Sequence, residues 1–529
     1  MKRKALLVCI ATLVPMLILA VTLFLLETAQ AQSQTEKQRG ISFPARWTGE
    51  YAYPDANPDL ALENLADTGA NWIALIVSQY QDNISSTVIY PDDDATLTDT
   101  NLIHVITQAH SRGLSVMLKP HVDLAHDPTH WRGQIGEGIT ETGWFTAWFA
   151  SYQDFINHYA DLAQKYGVDQ FCVGTELSAL QSRKSNWQAV ITGVSGIYTG
   201  LLTYAANHGT ETKVTWWDAV DYIGVDAYYS LTIKSDPTIT ELLEAWQPHV
   251  LTLAVLASTW NKPIIFTEIG YRSLDGANQR PYDGQITGTV DLQEQVDTYQ
   301  AAFMSVFTQP WFAGMYWWAW ETDPFQGGPC DDGYTPYDKP AENVLRFWYG
   351  APARASQPTL PNNNPPLVIY TDSLNSGWED CSWNAIVNLS STNPVYRGTH
   401  AISITAQAYG ALSLCHSNFD SAPYNWLEFY VRTSTTTQQL RAFVHDENGS
   451  ERFYRPVDNC RYIDKRPPIE PFTWTRVHIP LSHLDASGRQ LQGVSIKNFS
   501  SQPASFWVDE IRLVGALWRV YLPVVLKSQ

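Results

Sequence analysis

Two patterns of apolar and polar positions divide the chain. From about residue 40 to 350, short apolar runs alternate with longer segments of helical spacing, such as Leu102–Ser111, Trp144–Tyr166 and Leu292–Phe307. The apolar runs predicted as strands are Gly40–Phe43, Trp72–Val77, Ser115–Leu118, Gln170–Val173, Leu201–Ala205, Tyr222–Val225, Pro263–Phe266 and Gly314–Trp318. Apolar strands separated by helices predict parallel βαβ units of an α/β fold. Eight such units favour a (β/α)8 TIM barrel, and no G-x-G-x-x-G turn follows the first run to suggest a dinucleotide fold.

Beyond residue 366 the pattern changes to short alternating runs with few helices. These runs are Ala401–Ala406, Trp426–Arg432, Gln439–Val444, Thr475–Ile479, Val494–Lys497 and Ser505–Val514. They predict a jelly-roll β-sandwich over residues 367–515. The preceding segment 351–366 reads APARASQPTLPNNNPP, which is a Pro- and Asn-rich linker. We therefore expect the barrel at 40–350 to fold without the rest, and the tail at 516–529 to be an extra strand or a surface-association segment.

The N-terminus has the pattern of an export signal. Lys2, Arg3 and Lys4 precede the uncharged stretch Ala5–Leu26, and Ala29–Ala31 offers an A-x-A cleavage site. Residues 1–31 are predicted to be a signal peptide, which implies a secreted protein. The alternative is an uncleaved anchor on the outer face of the cell membrane, because the stretch is long enough to span a bilayer.

The amino-acid composition limits the classes of molecule that the protein is expected to bind. The chain has 529 residues with 34 Lys and Arg against 53 Asp and Glu, a net charge of −19 that argues against nucleic acid and anionic membrane surfaces. The 21 Trp and 27 Tyr indicate either platforms for sugar rings or large aromatic cores. Five cysteines follow the N-terminal segment, an odd number without zinc-ligand spacing; Cys381 with Cys415 is the first disulfide expected.

Two glutamates stand where predicted barrel strands end. Glu176 follows the fourth strand and Glu268 ends the seventh, and each is preceded by Thr. Catalytic groups of a barrel lie at the C-terminal ends of its strands, and strands four and seven face each other across the mouth. Two carboxyl groups about 5–5.5 Å apart suit a retaining cleavage of a glycosidic bond. One carboxyl group alone would more simply be a cap or an ion-pair partner.

Five segments stand in a fixed order along the first half: GISFPARWTGEY (40–51), VMLKPHVD (116–123), FCVGTELS (171–178), DYIGVDAYY (221–229) and FTEIGYRS (266–273). Together they resemble glycoside hydrolase family 113, a family of retaining TIM-barrel enzymes known chiefly for endo-β-1,4-mannanases. The resemblance implies that Glu176 is the acid/base and Glu268 the nucleophile. Thr175 departs from the wider clan, which has Asn there. The contact to the sugar 2-hydroxyl must then come from elsewhere, for example His121 or Asn207.

Other candidate residues have two interpretations each. The resemblance places Lys119, His121 and Asp123 along the minus subsites. Trp318 and Trp320 are either a stacking platform or packing behind the barrel, and Tyr228 either holds the nucleophile or belongs to the core. Structural roles compete with cleft roles for Trp47, Tyr51, Trp131 and Arg132.

The end of the second half, Phe506–Leu513, resembles the closing strand of jelly-roll carbohydrate-binding modules. In those modules an Asp on this strand helps to hold a structural calcium ion, which would place metal ligands at Asp372 and Asp509 here. A plain surface role for both residues is the alternative, as is an inert spacer for the whole domain.

The sequence therefore predicts a secreted, monomeric, retaining endo-glycosidase that needs no cofactor for catalysis and acts on polysaccharide or oligosaccharide. Its predicted substrate is β-1,4-mannan. Another β-glycan, glucan or xylan, is the enzymatic alternative, and a non-catalytic surface glycan-binding protein is the alternative from a different class.

Overall fold

The structure, a computed structural model, describes residues 36–44, 58–93, 95–354, 365–436, 438–463 and 468–515. The predicted signal segment, most of the linker, the C-terminal tail, Trp47 and Tyr51 lie outside these ranges. The chain forms two units. The first contains Pro58–Thr322 and Val344–Ala351 together with the first strand, and the second contains Asp323–Asn343 and the chain from Pro352 onward.

The first unit is a closed barrel of eight parallel strands, as predicted. The strands are β1 (Gln38–Pro44), β2 (Trp72–Gln81), β3 (Ser115–Leu124), β4 (Gln170–Thr175), β5 (Leu201–Asn207), β6 (Tyr222–Asp226), β7 (Ile264–Ile269) and β8 (Phe312–Trp317). Strand β1 pairs with both β2 and β8, which closes the barrel. Strands β2 and β3 continue past their apolar runs to Gln81 and Leu124. They therefore raise polar residues above the barrel core.

Helices connect the strands. They are α1 (Pro58–Ala66), α2 (Asp99–Ser111), α3 (Thr142–Lys165), α4 (Lys184–Ser195), α5 (Ile239–Trp260), α6 (Leu292–Ala302) and α7 (Pro340–Tyr349), with a π-helical turn at Phe303–Phe307 and 3-10 turns at Arg132–Gln134, Glu211–Lys213 and Trp217–Ala219. Helix α5 begins with a capping box in which Thr238 and Glu241 bond each other's backbone N–H groups. In α3, Trp148, Tyr152 and Tyr159 recur at helical spacing and are buried.

Much of the aromatic surplus is therefore core. The largest fully buried side chains of the described chain include Trp148, Trp187, Trp216, Trp217, Trp246, Trp317 and Trp320. Trp187 stacks on Trp216 with ring centroids 5.2 Å apart, and Trp317 stacks on Tyr299 at 3.6 Å. Such pairs stabilise the layer between strands and helices. The tryptophan count alone is thus no measure of how many platforms face a substrate.

The second unit is an antiparallel β-rich domain, as predicted. Its strands are β9 (Leu367–Tyr370), β10 (Trp378–Asp380), β11 (Trp383–Ser391), β12 (Ala401–Asp420), β13 (Trp426–Thr433), β14 (Leu440–Asp446), β15 (Arg455–Pro456), β16 (Thr475–Pro480), β17 (Gln490–Asn498) and β18 (Ala504–Val514). The long strand β12 pairs with β10, β11, β17 and β18. Alternate residues of these strands, such as Ile404, Leu414 and Phe506, form one buried cluster.

Segment 323–343 lies between β8 and α7 in sequence but belongs to the second unit. A disulfide joins Cys330 to Cys460. Arg461 lies 3.3 Å from a carboxylate oxygen of Asp338, and the ring of Phe325 lies 4.3 Å from that of His483. The predicted boundaries assign this segment to the barrel domain and stay a prediction, while its contacts group it with the second unit.

The other cysteines follow the expected arithmetic. The predicted disulfide between Cys381 and Cys415 is confirmed, and it ties the loop before β11 to β12. Cys172 in β4 is buried and carries a free thiol. Burial raises the pKa of this thiol, so it behaves as a small apolar core residue.

Asp372 and Asp509, the predicted calcium ligands, both contact the loop between β11 and β12, and the calcium ion stays a prediction. Asp372 accepts backbone N–H groups from Thr399 and His400, and Asp509 accepts those of residues 396, 397 and 510. The described residues contain no group of three or more His, Cys, Asp or Glu side chains that could hold a metal ion. The two carboxylates anchor the loop between β11 and β12.

Within the described ranges, no helix is both long and apolar enough to cross a membrane.

Candidate active site

Glu176 lies at the C-terminal end of the barrel, directly after β4. Its backbone has φ 55°, a left-handed conformation that a non-glycine residue adopts only where the surroundings hold it. Its N–H donates a 2.8 Å hydrogen bond to the carbonyl oxygen of Ala205 in β5. This bond fixes the sharp turn at the strand end. The side chain remains 15% exposed, so substrate can reach it.

Glu268 lies within β7 and is more deeply enclosed, with 5% of its surface exposed. The hydroxyl of Tyr228, which follows β6, donates to its Oε2 at 2.8 Å. The Nζ of Lys119, from β3, contacts its Oε1. Both donors stabilise the carboxylate form of Glu268. The structure thus brings Lys119 and Tyr228 to the predicted nucleophile.

A third carboxyl group shares the Lys119 ammonium. Oδ1 of Asp226, at the end of β6, accepts hydrogen bonds from Nζ of Lys119 at 2.9 Å and from the Thr267 hydroxyl at 2.7 Å. Burial alone would lower the pKa of Lys119, but the charges of Asp226 and Glu268 raise it above its usual value. Lys119 is therefore a permanent cation that serves two carboxylates.

On the other side of the site, Arg132 connects three of the candidate residues. Its Nε and Nη2 atoms donate to the two carboxylate oxygens of Asp123 at 2.9 and 3.0 Å. Its Nη1 atom lies 2.8 Å from Nδ1 of His121 and 3.5 Å from Oε2 of Glu176. His121 and Asp123 both come from β3, so one loop arginine joins this strand to the candidate acid/base.

The two glutamates differ in protonation. Burial and the neighbouring charges of Asp226 and Glu268 together raise the pKa of Glu176 to about 8, against the opposite effect of Arg132. Burial and Asp226 also raise the pKa of Glu268, while Lys119 and Tyr228 lower it. Because two donors contact Glu268 directly, we assign the carboxylate to Glu268 and the proton to Glu176 near neutral pH. An acid beside a carboxylate is the arrangement that glycosidic bond cleavage requires.

A family model for Glycoside Hydrolase Family 113 matches residues 43–339, more than half of the chain. The chain belongs to glycoside hydrolase family 113. A second model, for an Expansin-like protein C-terminal domain, matches residues 369–516.

Solved structures agree with the family 113 assignment. The β-mannanase AaManA of that family from Alicyclobacillus acidocaldarius, in complex with ManMIm, is 32% identical with a TM-score of 0.53, covering 60% of this chain and 98% of that chain. A complex of another family 113 β-1,4-mannanase is 27% identical with a TM-score of 0.54, covering 60% and 100%. An endoglucanase from Dictyostelium discoideum is 28% identical over 141 residues, which are 26% of this chain and only 19% of that relative.

The remaining candidates of this family 113 chain occupy varied positions. Asn207 closes β5 in register with Asp226 and is half-buried. Trp318 follows β8, is partly exposed, and packs against a small cluster that contains Met117 and Tyr316. Trp320 has only 1% of its surface exposed, which favours the second of its two interpretations, packing behind the barrel. Trp131 is 41% exposed beside Arg132.

Sequence reasoning undervalued two residues of the site. Asp226 was visible as a carboxylate at the end of the sixth strand, but its partner Lys119 stands 107 residues earlier, so the pairing had no local signal. Arg132 stands in a short 3-10 turn of a loop without periodicity. Its position is fixed by the two parallel hydrogen bonds that its guanidinium donates to the carboxylate of Asp123, which no sequence pattern indicates.

Proposed function

We propose that this family 113 hydrolase is a retaining, endo-acting enzyme that cleaves β-1,4-linked mannan. The observation that carries the proposal is the unequal environment of Glu176 and Glu268, an enclosed acid beside a carboxylate held by Lys119 and Tyr228. The β-mannanases among the solved relatives support mannan as the substrate. The expected partner is thus a polysaccharide or oligosaccharide.

The reaction proceeds by double displacement. Glu176 donates its proton to the glycosidic oxygen while a carboxylate oxygen of Glu268 attacks the anomeric carbon, which forms a glycosyl ester and breaks the bond to the leaving sugar. Glu176, now ionised, then takes a proton from water, and that water attacks the same carbon and releases Glu268. Acid, nucleophile and base all come from these two carboxyl groups, so the reaction needs no cofactor.

A glucan is the second candidate substrate, which the endoglucanase relative favours. A reducing-sugar assay on mannan, glucan and xylan, with the Glu268→Ala variant as the blank, separates the candidates. The proposal expects mannan to be hydrolysed fastest. Faster hydrolysis of glucan or xylan would mean that this polymer, and not mannan, is the substrate. No release of reducing sugar above the blank would favour a glycan-binding protein without catalytic activity.

The second unit is proposed to hold the polymer. Trp507 and Phe472 flank the guanidinium of Arg432 at 5.6 and 5.7 Å on the outer side of strands β13 and β18, and Phe472 is 60% exposed. Aromatic faces beside a guanidinium suit sugar rings, which stack on them.

The Phe472→Ala/Trp507→Ala variant should therefore lose retention on insoluble mannan while keeping its rate on soluble oligosaccharides. Tyr409→Ala, which removes another exposed aromatic residue of the same unit, is the matched control. Equal retention of all three proteins would move the binding surface elsewhere.

We also propose secretion, on the pattern of residues 1–31. N-terminal sequencing of the protein recovered from the culture medium tests it, and a start after Ala31 is expected. An intact N-terminus in the membrane fraction would favour the anchor.

A further inference from the structure

Arg132 contacts three residues of the site, namely Asp123, His121 and Glu176. One of its nitrogen atoms, Nη1, lies between Nδ1 of His121 at 2.8 Å and Oε2 of Glu176 at 3.5 Å. A guanidinium only donates hydrogen bonds and does not lose its proton in proteins. Nδ1 of His121 must therefore be the acceptor of this bond. The single ring proton of a neutral His121 then has to be on Nε2.

Nothing in the described chain accepts that proton. Nε2 of His121 is buried without a hydrogen-bond partner, and the whole residue is 2% exposed. It lies 3.9 Å from Oε1 of Glu268, beyond hydrogen-bonding distance. An unpartnered buried donor is costly, and such groups occur where a ligand supplies the missing acceptor.

The distance to Glu268 indicates which acceptor this is. The nucleophilic carboxylate approaches the anomeric carbon of the sugar, so a donor 3.9 Å from that carboxylate lies near a substituent on the neighbouring carbon. In a hexose this substituent is a hydroxyl group, whose oxygen accepts an N–H. We propose that Arg132 is a positioning residue that holds His121 as the Nε2–H tautomer, so that His121 donates to the hydroxyl next to the reacting carbon.

The orientation of Arg132 is itself fixed. Asp123 accepts both Nε and Nη2 in a forked contact, and the Ser78 hydroxyl lies 3.4 Å from the same carboxylate. A forked pair of this kind fixes the plane of the guanidinium as well as its position. Nη1 is thereby directed at His121 and Glu176, and a lysine could not reproduce the three contacts.

The charge of Arg132 also keeps His121 neutral. Burial, Arg132 and Lys119 together lower the pKa of His121 well below its usual value. The charged groups facing the ring are the guanidinium of Arg132, the ammonium of Lys119 and the carboxylate of Glu268. A neutral donor suits this place, because an imidazolium would form an ion pair with Glu268 and weaken the nucleophile.

The first test is spectroscopic and does not depend on any substrate. The full chain is labelled with ¹⁵N-histidine, and the His121 signals are assigned by their loss in His121→Gln. Two-bond correlations from ring protons distinguish a protonated Nε2 from a protonated Nδ1. The wild-type protein should show Nε2–H alone across neutral pH, and Arg132→Met should show the other tautomer or a mixture. Nδ1–H or an imidazolium in the wild type, or an unchanged tautomer in Arg132→Met, would overturn the inference.

The second test is kinetic and rests on the proposed function. Aryl β-mannoside and its 2-deoxy analogue are compared, so that intrinsic reactivity cancels between enzymes. Arg132→Met should reduce kcat/KM on the parent glycoside about 10²-fold, the effect of removing an oriented donor. On the 2-deoxy compound it should lose less than about 10-fold, because that compound has no hydroxyl for His121. Equal losses on both compounds would contradict the proposal.

Arg112→Met is the matched control. Arg112 follows α2 just before β3 and bonds Gln108, at the barrel end opposite to the site. It should retain the wild-type tautomer and rate. Should Arg132→Met fail to fold, Arg132→Lys preserves the charge, and its expected result is a mixed tautomer with a reduced rate. A wild-type Nε2–H tautomer that Arg132→Met changes, in a protein with no glycosidase activity, would refute the proposed function and the contact to the sugar hydroxyl, and only the control of the His121 tautomer by Arg132 would stand.

Discussion

Nζ of Lys119 lies 2.9 Å from Oδ1 of Asp226, and neither side chain is exposed to solvent. The same nitrogen contacts Glu268, so the described site balances two enclosed carboxylates with one enclosed cation. Such a cluster is stable only while each member is present, because an unpaired charge in a closed site costs several kcal/mol. The lysine is thus a structural requirement of the site as well as a neighbour of the nucleophile.

Replacement of this lysine tests that dependence. Lys119→Met should lower the free energy of unfolding by about 3–5 kcal/mol, since it leaves both carboxylates without their cation. Urea unfolding measures the effect. The double variant Lys119→Met/Asp226→Asn should recover part of the loss by removing one of the two charges. Unchanged stability of Lys119→Met would mean that water or protonation replaces the cation at no cost.

The roles of the two glutamates predict different defects. Glu268→Ala should abolish turnover of every substrate, because no nucleophile remains. Glu176→Ala should retain measurable turnover of aryl glycosides with good leaving groups, which need little proton donation. Added azide should rescue Glu176→Ala and yield a glycosyl azide. Rescue of Glu268→Ala with retained configuration would reverse the assignment.

The pH dependence follows from the raised pKa of Glu176. The acid must be protonated for the first step, so kcat/KM should fall as pH rises through about 8. On the acidic side, activity should fall where Glu268 takes up a proton, above the usual range of a glutamate because its pKa is also raised. The two limbs belong to the coupled pair. Arg132→Lys should keep the alkaline limb near its wild-type position, whereas Arg132→Met should move it upward because Arg132 lowers the pKa of Glu176.

The stereochemical outcome tests the two-glutamate mechanism directly. A retaining enzyme should release the β-anomer first from a β-linked substrate, and proton NMR records it before mutarotation. Prompt release of the α-anomer would require carboxyl groups about 6.5–9.5 Å apart with water between them.

The sequence predicted those features that depend on a short pattern of residues, such as an apolar run or the polar residue at the end of a strand. The eight strands of the barrel, the places of Glu176 and Glu268 and the pair Cys381–Cys415 all followed from short patterns. The left-handed turn at Glu176 had no such signal, because no glycine marks it. The fork between Arg132 and Asp123 likewise depends on a loop conformation that tertiary contacts decide.

The unit boundaries show the same limit. The Pro-rich linker suggested independent halves, yet segment 323–343 is held by contacts made after residue 352. Composition reveals where the chain is extended, but it does not reveal which earlier segment a later domain will hold. Trp320 gives a second example, because the sequence alone does not show whether a tryptophan at a strand end is buried or exposed, and Trp320 is buried.

A chain ended at residue 354 should therefore be less stable than the barrel pattern suggests. It lacks Cys460 and Arg461, so segment 323–343 loses its disulfide and an ion pair. Cys330→Ser/Cys460→Ser in the full chain should lower the free energy of unfolding by about 2–5 kcal/mol and reduce activity on soluble oligosaccharides. Cys381→Ser/Cys415→Ser is the matched control and should leave that activity unchanged. Full activity of the shortened chain would show that the segment needs none of these partners.

The position of Cys330 also fixes an order of events during biosynthesis. Ribosomes make Cys330 first, and its partner follows 130 residues later, whereas Cys381 and Cys415 are only 34 residues apart. The nearer pair can close while the chain is still growing, but the segment after β8 must wait for most of the second unit. A nascent or prematurely terminated chain would carry an unpaired thiol at Cys330, available to oxidising enzymes and to quality control. The pairing of Cys330 thus records whether translation has passed Cys460.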